Sequence, residues 1–108
     1  MANTYVKIHD VIYPASITGR IHDKDWDDRA SKAIRLEMSF ADALNLFVDD
    51  VDWSIIHEDE TGEVVSEEYD NSDYSVAGDI TDHRDGTITV KMGKLTAEEL
   101  LAIIGEVL

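Results

Sequence analysis

The run Asp23-Lys24-Asp25-Trp26-Asp27-Asp28 places carboxylates at alternate positions, a pattern with which a loop can wrap a hard cation such as calcium. A helix–loop–helix calcium site also needs a glycine at the sixth loop position and a bidentate glutamate at the twelfth. Counted from Asp23, those positions hold Asp28 and Ile34, and the flanks read as strands rather than helices. A solvated loop is therefore favoured over a cation site, and no metal is assigned.

The four histidines, His9, His22, His57 and His83, include no pair three or four residues apart that could ligate from one helix face. His57 stands beside Glu58 and Asp59, but neighbours along a strand point to opposite faces, so this trio would diverge. All four read as strand-end or turn histidines. The chain has no cysteine, which excludes disulfides, thiolate catalysis and cysteine-based zinc sites. No serine lies in a glycine-flanked nucleophile elbow, and the six isolated glycines form no phosphate-cradling loop. Carboxylate pairs are easy to choose in so acidic a chain, which makes any chosen pair uninformative. The residues thus point to no enzyme, no catalytic residue and no cofactor.

Binding residues are the alternative. Trp26 sits in a charged loop with Asp25, Asp27 and Arg29. Its ring either packs over the sheet edge with Arg29 stacked upon it, which is favoured, or serves with Arg29 as an exposed anchor for a protein partner. A second candidate surface is electrostatic. No lysine or arginine occurs between Arg35 and Arg84, while residues 37–82 hold fifteen carboxylates. The first 36 residues carry five acids against six bases, and the last 26 carry four against three, so the formal charge of −15 resides in the middle. The densest part supplies Glu58, Asp59, Glu60, Glu63, Glu67 and Glu68 as candidate contacts to a basic protein surface. The same charge argues against direct nucleic-acid binding and against anionic membrane. No apolar run approaches the roughly 20 residues that span a bilayer. Together with the lack of a signal layout and of cysteine, this leads us to expect synthesis in a reducing cytoplasm.

At 108 residues the chain is expected to form a single domain spanning 1–108. Tyr5–Ile8 and Ile12-Tyr13 flank a tight turn at His9-Asp10-Val11, and Pro14, lacking an amide donor, should lie on a sheet edge or end a strand. Strands follow at Ser16–His22 and Ala33–Met38, with a polar loop at Asp23–Ser31 between them. Ser39 and Asp42 have capping-box spacing ahead of a short helix through Val48. Two hairpins then pair Trp53–His57 with Val64–Tyr69, and Tyr74–Ile80 with Thr87–Met92. Gly78, inside a strand, signals a bulge or a close backbone approach. Thr96 and Glu99 form a capping box before a final helix whose apolar face comprises Leu100, Leu101, Ile103, Ile104, Val107 and Leu108, and Gly105 offers an early end. The expected fold is α+β: an antiparallel or mixed sheet of about six strands, open to a small sandwich or roll. A short central helix and a C-terminal amphipathic helix complete it.

The stretches Tyr5-Val6-Lys7-Ile8, Tyr13-Pro14-Ala15, Ile17-Thr18-Gly19-Arg20, Asp25-Trp26-Asp27, Arg29 and Ser31-Lys32-Ala33-Ile34 give the N-terminal third a further character. It resembles small phage and prophage proteins from tail and baseplate gene clusters. Glu68–Tyr74 and Gly78–Lys94 extend the resemblance to about half the chain. The resemblance implies a non-enzymatic structural or assembly protein, virion-associated or an accessory factor. Its partners would be other phage-encoded proteins or further copies of itself in a homo-oligomer. The alternative is an acidic inhibitor that imitates nucleic acid to a basic host protein through residues 37–82. That reading requires the carboxylates to line up in a track.

Overall fold

The computed structural model describes residues 4–58 and 64–107. They form seven strands and two helices in the order β1 (Thr4–Ile8), β2 (Val11–Asp23), β3 (Arg29–Glu37), α1 (Phe40–Leu46), β4 (Trp53–Glu58), β5 (Val64–Asp70), β6 (Val76–Asp82), β7 (Thr87–Gly93) and α2 (Ala97–Val107). The class is α+β, as expected, with seven strands rather than six. Every pairing is antiparallel, in the order β5-β4-β1-β2-β3-β7-β6.

The pivot of the sheet is β2. Its residues up to Pro14 pair with β1, and those from Ala15 onward pair with β3. Pro14 neither ends the strand nor lies on the margin of the sheet, contrary to expectation. In the β1–β2 hairpin Ile8 and Val11 close a two-residue loop, so Tyr5 and Pro14 form a pair that exchanges no backbone hydrogen bonds with each other. The missing amide of Pro14 would point toward β3, whose ladder starts one residue later. Proline therefore occupies a local edge inside a central strand.

This change of partner lets the two halves of the sheet share one core. Val6 and Ile8 of β1, Trp53 and Ile55 of β4, Ile34 and Leu36 of β3, and Ile88, Val90 and Met92 of β7 form a single cluster. Ala43 and Phe47 from the α1 region join it, and Tyr13, Ala15 and Ile17 meet it from alternate positions of β2. Hydrogen bonds join β4 and the residues before it to the 71–75 segment that leads into β6. Asn71 N–H donates to the Trp53 carbonyl, Trp53 Nε1 to the Tyr74 carbonyl at 3.2 Å, and Asp50 N–H to the Ser75 carbonyl. Lys32 adds a bond to the Asn71 side chain, with its ammonium 4.6 Å from the centre of the Tyr74 ring. Burial among these groups lowers the Lys32 pKa.

Local signals placed the helices well. Ser39 Oγ accepts from Asp42 N–H and starts α1, which ends at Leu46, short of Val48. The Thr96–Glu99 box is reciprocal: Thr96 N–H donates to Glu99 Oε1 at 2.8 Å, and Glu99 N–H to Thr96 Oγ1 at 3.2 Å. Helix α2 continues through Gly105 to Val107 rather than stopping early. Its environment was not foreseen. Every residue from Ala97 to Gly105 except Glu99 is exposed, and α2 has no extended packing against any strand among the described residues.

Candidate functional site

The face of β3 and β7 turned away from the core carries a second, polar centre. Along β3, Ile34 and Leu36 point into the core, whereas Arg29 and Ser31 are buried on the opposite side. Lys91 and Gly93 of β7 lie on that same side, opposite Ala33 and Ser31 in register. The β2–β3 loop folds back over this surface. Trp26 N–H and Asp28 N–H both donate to the Asp23 carbonyl, and Asp27 and Asp28 adopt left-handed backbone with φ of 55° and 59°. Short acidic side chains tolerate that conformation better than most.

Asp23 anchors the loop from below. Its carboxylate is wholly inaccessible to solvent. Oδ2 accepts from Lys91 Nζ at 2.9 Å and Ser31 Oγ at 2.8 Å, and Oδ1 accepts from Asp25 N–H at 3.1 Å. The bond from Lys91, then that from Ser31, holds its pKa down at about 2, against the opposing effect of burial. The first acid of the apparent calcium run is thus an internal counter-ion. The others are dispersed: Asp25 lies 3.8 Å from Arg20, Asp27 lies 3.5 Å from Arg29, and Asp28 lies 3.3 Å from His22. Among the described residues no group of three or more His, Asp or Glu side chains is placed to hold a metal ion.

The indole of Trp26 covers two glycines. A Cβ added to Gly78 would lie 2.7 Å from Trp26 Cη2, and one added to Gly93 would lie 2.8 Å from Trp26 Cζ3 and 2.7 Å from Arg29 Cδ. Gly78 serves both roles expected of it, since the β6–β7 register also shifts between Ala77 and Ile80. The Arg29 guanidinium stacks 4.7 Å from the indole centre. Its Nη1 donates to Glu99 Oε1 at 3.0 Å and to the Lys94 carbonyl at 3.2 Å, and Nε donates to the Trp26 carbonyl. Trp26 and Arg29 accordingly form a packed pair that ties the loop to the root of α2. As an exposed anchor Arg29 needs correction: its side chain is only 4% exposed, and its donors are engaged within the chain. Its bond to Glu99 also helps hold the Glu99 pKa below the usual range, after the larger effect of the Thr96 amide.

The acidic candidates divide. The Tyr5 hydroxyl donates to Glu58 Oε2 at 2.5 Å, and that bond is the main reason the phenol pKa is raised. Glu68 is paired with Lys7 at 3.1 Å across the sheet. Asp59, Glu60 and Glu63 lie outside the described residues, and Glu67 is placed on β5 by its backbone alone. Elsewhere in the acidic segment, Asp49 accepts from Ala77 N–H, Asp70 from Ser72, and Asp73 pairs with Lys94 at 3.1 Å. Asp49, Glu68 and Asp70 line one open cleft together with Asp10, Asp50 and Asp52, beside Lys7 and His9.

The arrangement delivers α2 to solvent. Glu99 is the helix residue turned toward the body, held by Arg29. At about 100° per residue, Leu100, Leu101 and Ile104 sit roughly 100° to 160° around the helix from Glu99. They are 47%, 67% and 55% exposed, and Ile103 is 48% exposed. Sequence periodicity found this face, and the packing of the described residues leaves it uncovered. The absence of any basic residue in the last turn was no signal either way. Comparison of the chain with protein-family profiles, curated proteins and solved structures finds no match. No helix of the described residues is long and apolar enough to cross a membrane.

Proposed function

We propose that this is a non-enzymatic structural or assembly protein that works by protein–protein contact, of the kind found in phage tail and baseplate clusters. The observation that supports this most is the uncovered apolar face of α2, presented on a capped, ion-paired root. Contiguous exposed apolar side chains of this kind mark interaction surfaces. Covering four such side chains, each about half exposed, contributes roughly 3–6 kcal/mol. Association itself costs at least about 4 kcal/mol, so the face needs a partner that adds apolar area of its own. The phage assignment rests on the sequence resemblance, which lies mainly in the N-terminal third.

The test is co-purification and light scattering of the protein alone and with the products of neighbouring genes. A defined complex with one of them, or a defined homo-oligomer, supports the reading. A strict monomer that binds none of them overturns it.

A further inference from the structure

We propose that the edge of β5 at Glu68–Asp70 takes up an extended, lysine- or arginine-bearing segment of a partner protein as an additional antiparallel strand. This contact is separate from the α2 face, and it names the chemistry of a partner within the contact reading above. The register across the sheet leads there. Ile8 and Val11 close the first hairpin, so the backbone groups of Val6 and Ile8 face β2 and those of Tyr5 and Lys7 face β4. Lys7 pairs with Ser54 and Tyr5 with Ile56, so the same alternation turns Trp53 and Ile55 toward β5. The Asn71 N–H bond to the Trp53 carbonyl agrees with this. Tyr69, opposite Ile55, therefore faces β4, and Glu68 and Asp70 turn their amides and carbonyls outward. Strand β5 is a margin of the sheet, and no backbone group of the described residues bonds to those two positions from outside. The other margin is blocked at its entry. Asp49 accepts from Ala77 N–H, Asp50 N–H holds the Ser75 carbonyl, and β6 is bulged beyond Ala77.

Charge selects the occupant. Glu68 and Asp70 belong to the cleft of six carboxylates, whose one lysine, Lys7, is already paired with Glu68. Those acids repel a strand from a second copy, which carries a net charge of −15. They attract cationic side chains at alternate positions of an added strand, which fall on the same face as Glu68 and Asp70.

Fluorescence anisotropy on the full chain tests this, with a labelled octapeptide of alternating lysine and threonine as the probe. Its acidic counterpart, alternating glutamate and threonine, should not bind. Binding of the basic peptide should weaken roughly tenfold between low salt and about 0.5 M salt. Lysines set opposite Glu68 and Asp70 in an antiparallel pair turn their own amides toward β5. N-methylation of the lysine amides should therefore abolish binding, and N-methylation of the threonine amides should change it by less than about twofold. Glu68→Gln should weaken binding by about two- to fivefold, through loss of one exposed ion pair. Glu68→Pro removes an outward amide without touching the ladder to β4, so it should cost roughly tenfold more, with circular dichroism unchanged. Equal binding by the two methylated peptides, or binding of the acidic peptide as tight as the basic one, overturns strand addition. If no peptide binds but a complex with a neighbouring gene product forms and survives Glu68→Pro, the edge contact is overturned and the contact reading stands. A strict monomer that binds neither peptide nor gene product overturns both.

Discussion

The indole of Trp26 rests on the bare backbone of Gly78, so closely that a single added methyl would meet Cη2 at 2.7 Å. In an open strand, Gly→Ala would ordinarily stabilise by restricting the unfolded chain. Here the ring reverses the sign. Gly78→Ala should cost about 1–3 kcal/mol, and Trp26→Ala roughly 2–3 kcal/mol given its half-burial. In the Trp26→Ala background the alanine at 78 should cost less than about 0.5 kcal/mol. Urea denaturation of the four proteins measures the coupling, and additive effects would show that ring and glycine do not meet.

Acid should loosen the polar centre under that ring. The Asp23 pKa is lowered to about 2 from an ordinary value near 3.9. Because the folded-state value is the lower one, the stabilisation is present above pH ~4 and is lost as pH falls toward about 2. The lowered values of Asp70, Asp85 and Glu99 act in the same direction. Asp23→Asn should be less stable than the native chain at neutral pH and decline less steeply through that acid window. Parallel pH profiles for the two proteins would contradict the assignment.

Helix α2 should unfold by itself. It is held by its cap and by Arg29 rather than by packing. Removing the cap with Thr96→Ala costs about 1 kcal/mol, which in a locally unfolding helix is about a fivefold loss of amide protection. Hydrogen exchange should show that loss across α2 with the β3 and β7 amides unchanged. Protection of α2 equal to that of the core strands would rule this out.

The β1–β2 turn leaves room for improvement. His9 and Asp10 have φ of 52° and 64°, the two left-handed positions of a type I′ turn. Asp10→Gly should stabilise by roughly 0.5–1 kcal/mol and raise the melting midpoint by about 4 °C, whereas Asp10→Ala should lower it. Thermal melts of both variants test this, and an equal response would argue against the turn geometry.

The legible part of this fold is local. Alternation marked the strands, two capping boxes marked the helix starts, and Asp10 marked the first turn, because each depends on residues within a few positions of one another. The isolated glycine at 78 also signalled a close approach, though not its partner. Contacts between distant parts of the chain set the rest. Asp23 meets Lys91 across 68 positions, and Arg29 meets Glu99 across 70. Those distances close only because β2 exchanges β1 for β3 at Pro14 and β7 then pairs beside β3. The same topology turned an apparent cation loop into an internal ion pair and a candidate anchor, Arg29, into a tether. It also left α2, amphipathic by its periodicity, with its apolar face in water. Periodicity reports that a face is apolar; only the packing of the whole chain determines whether anything is there to cover it.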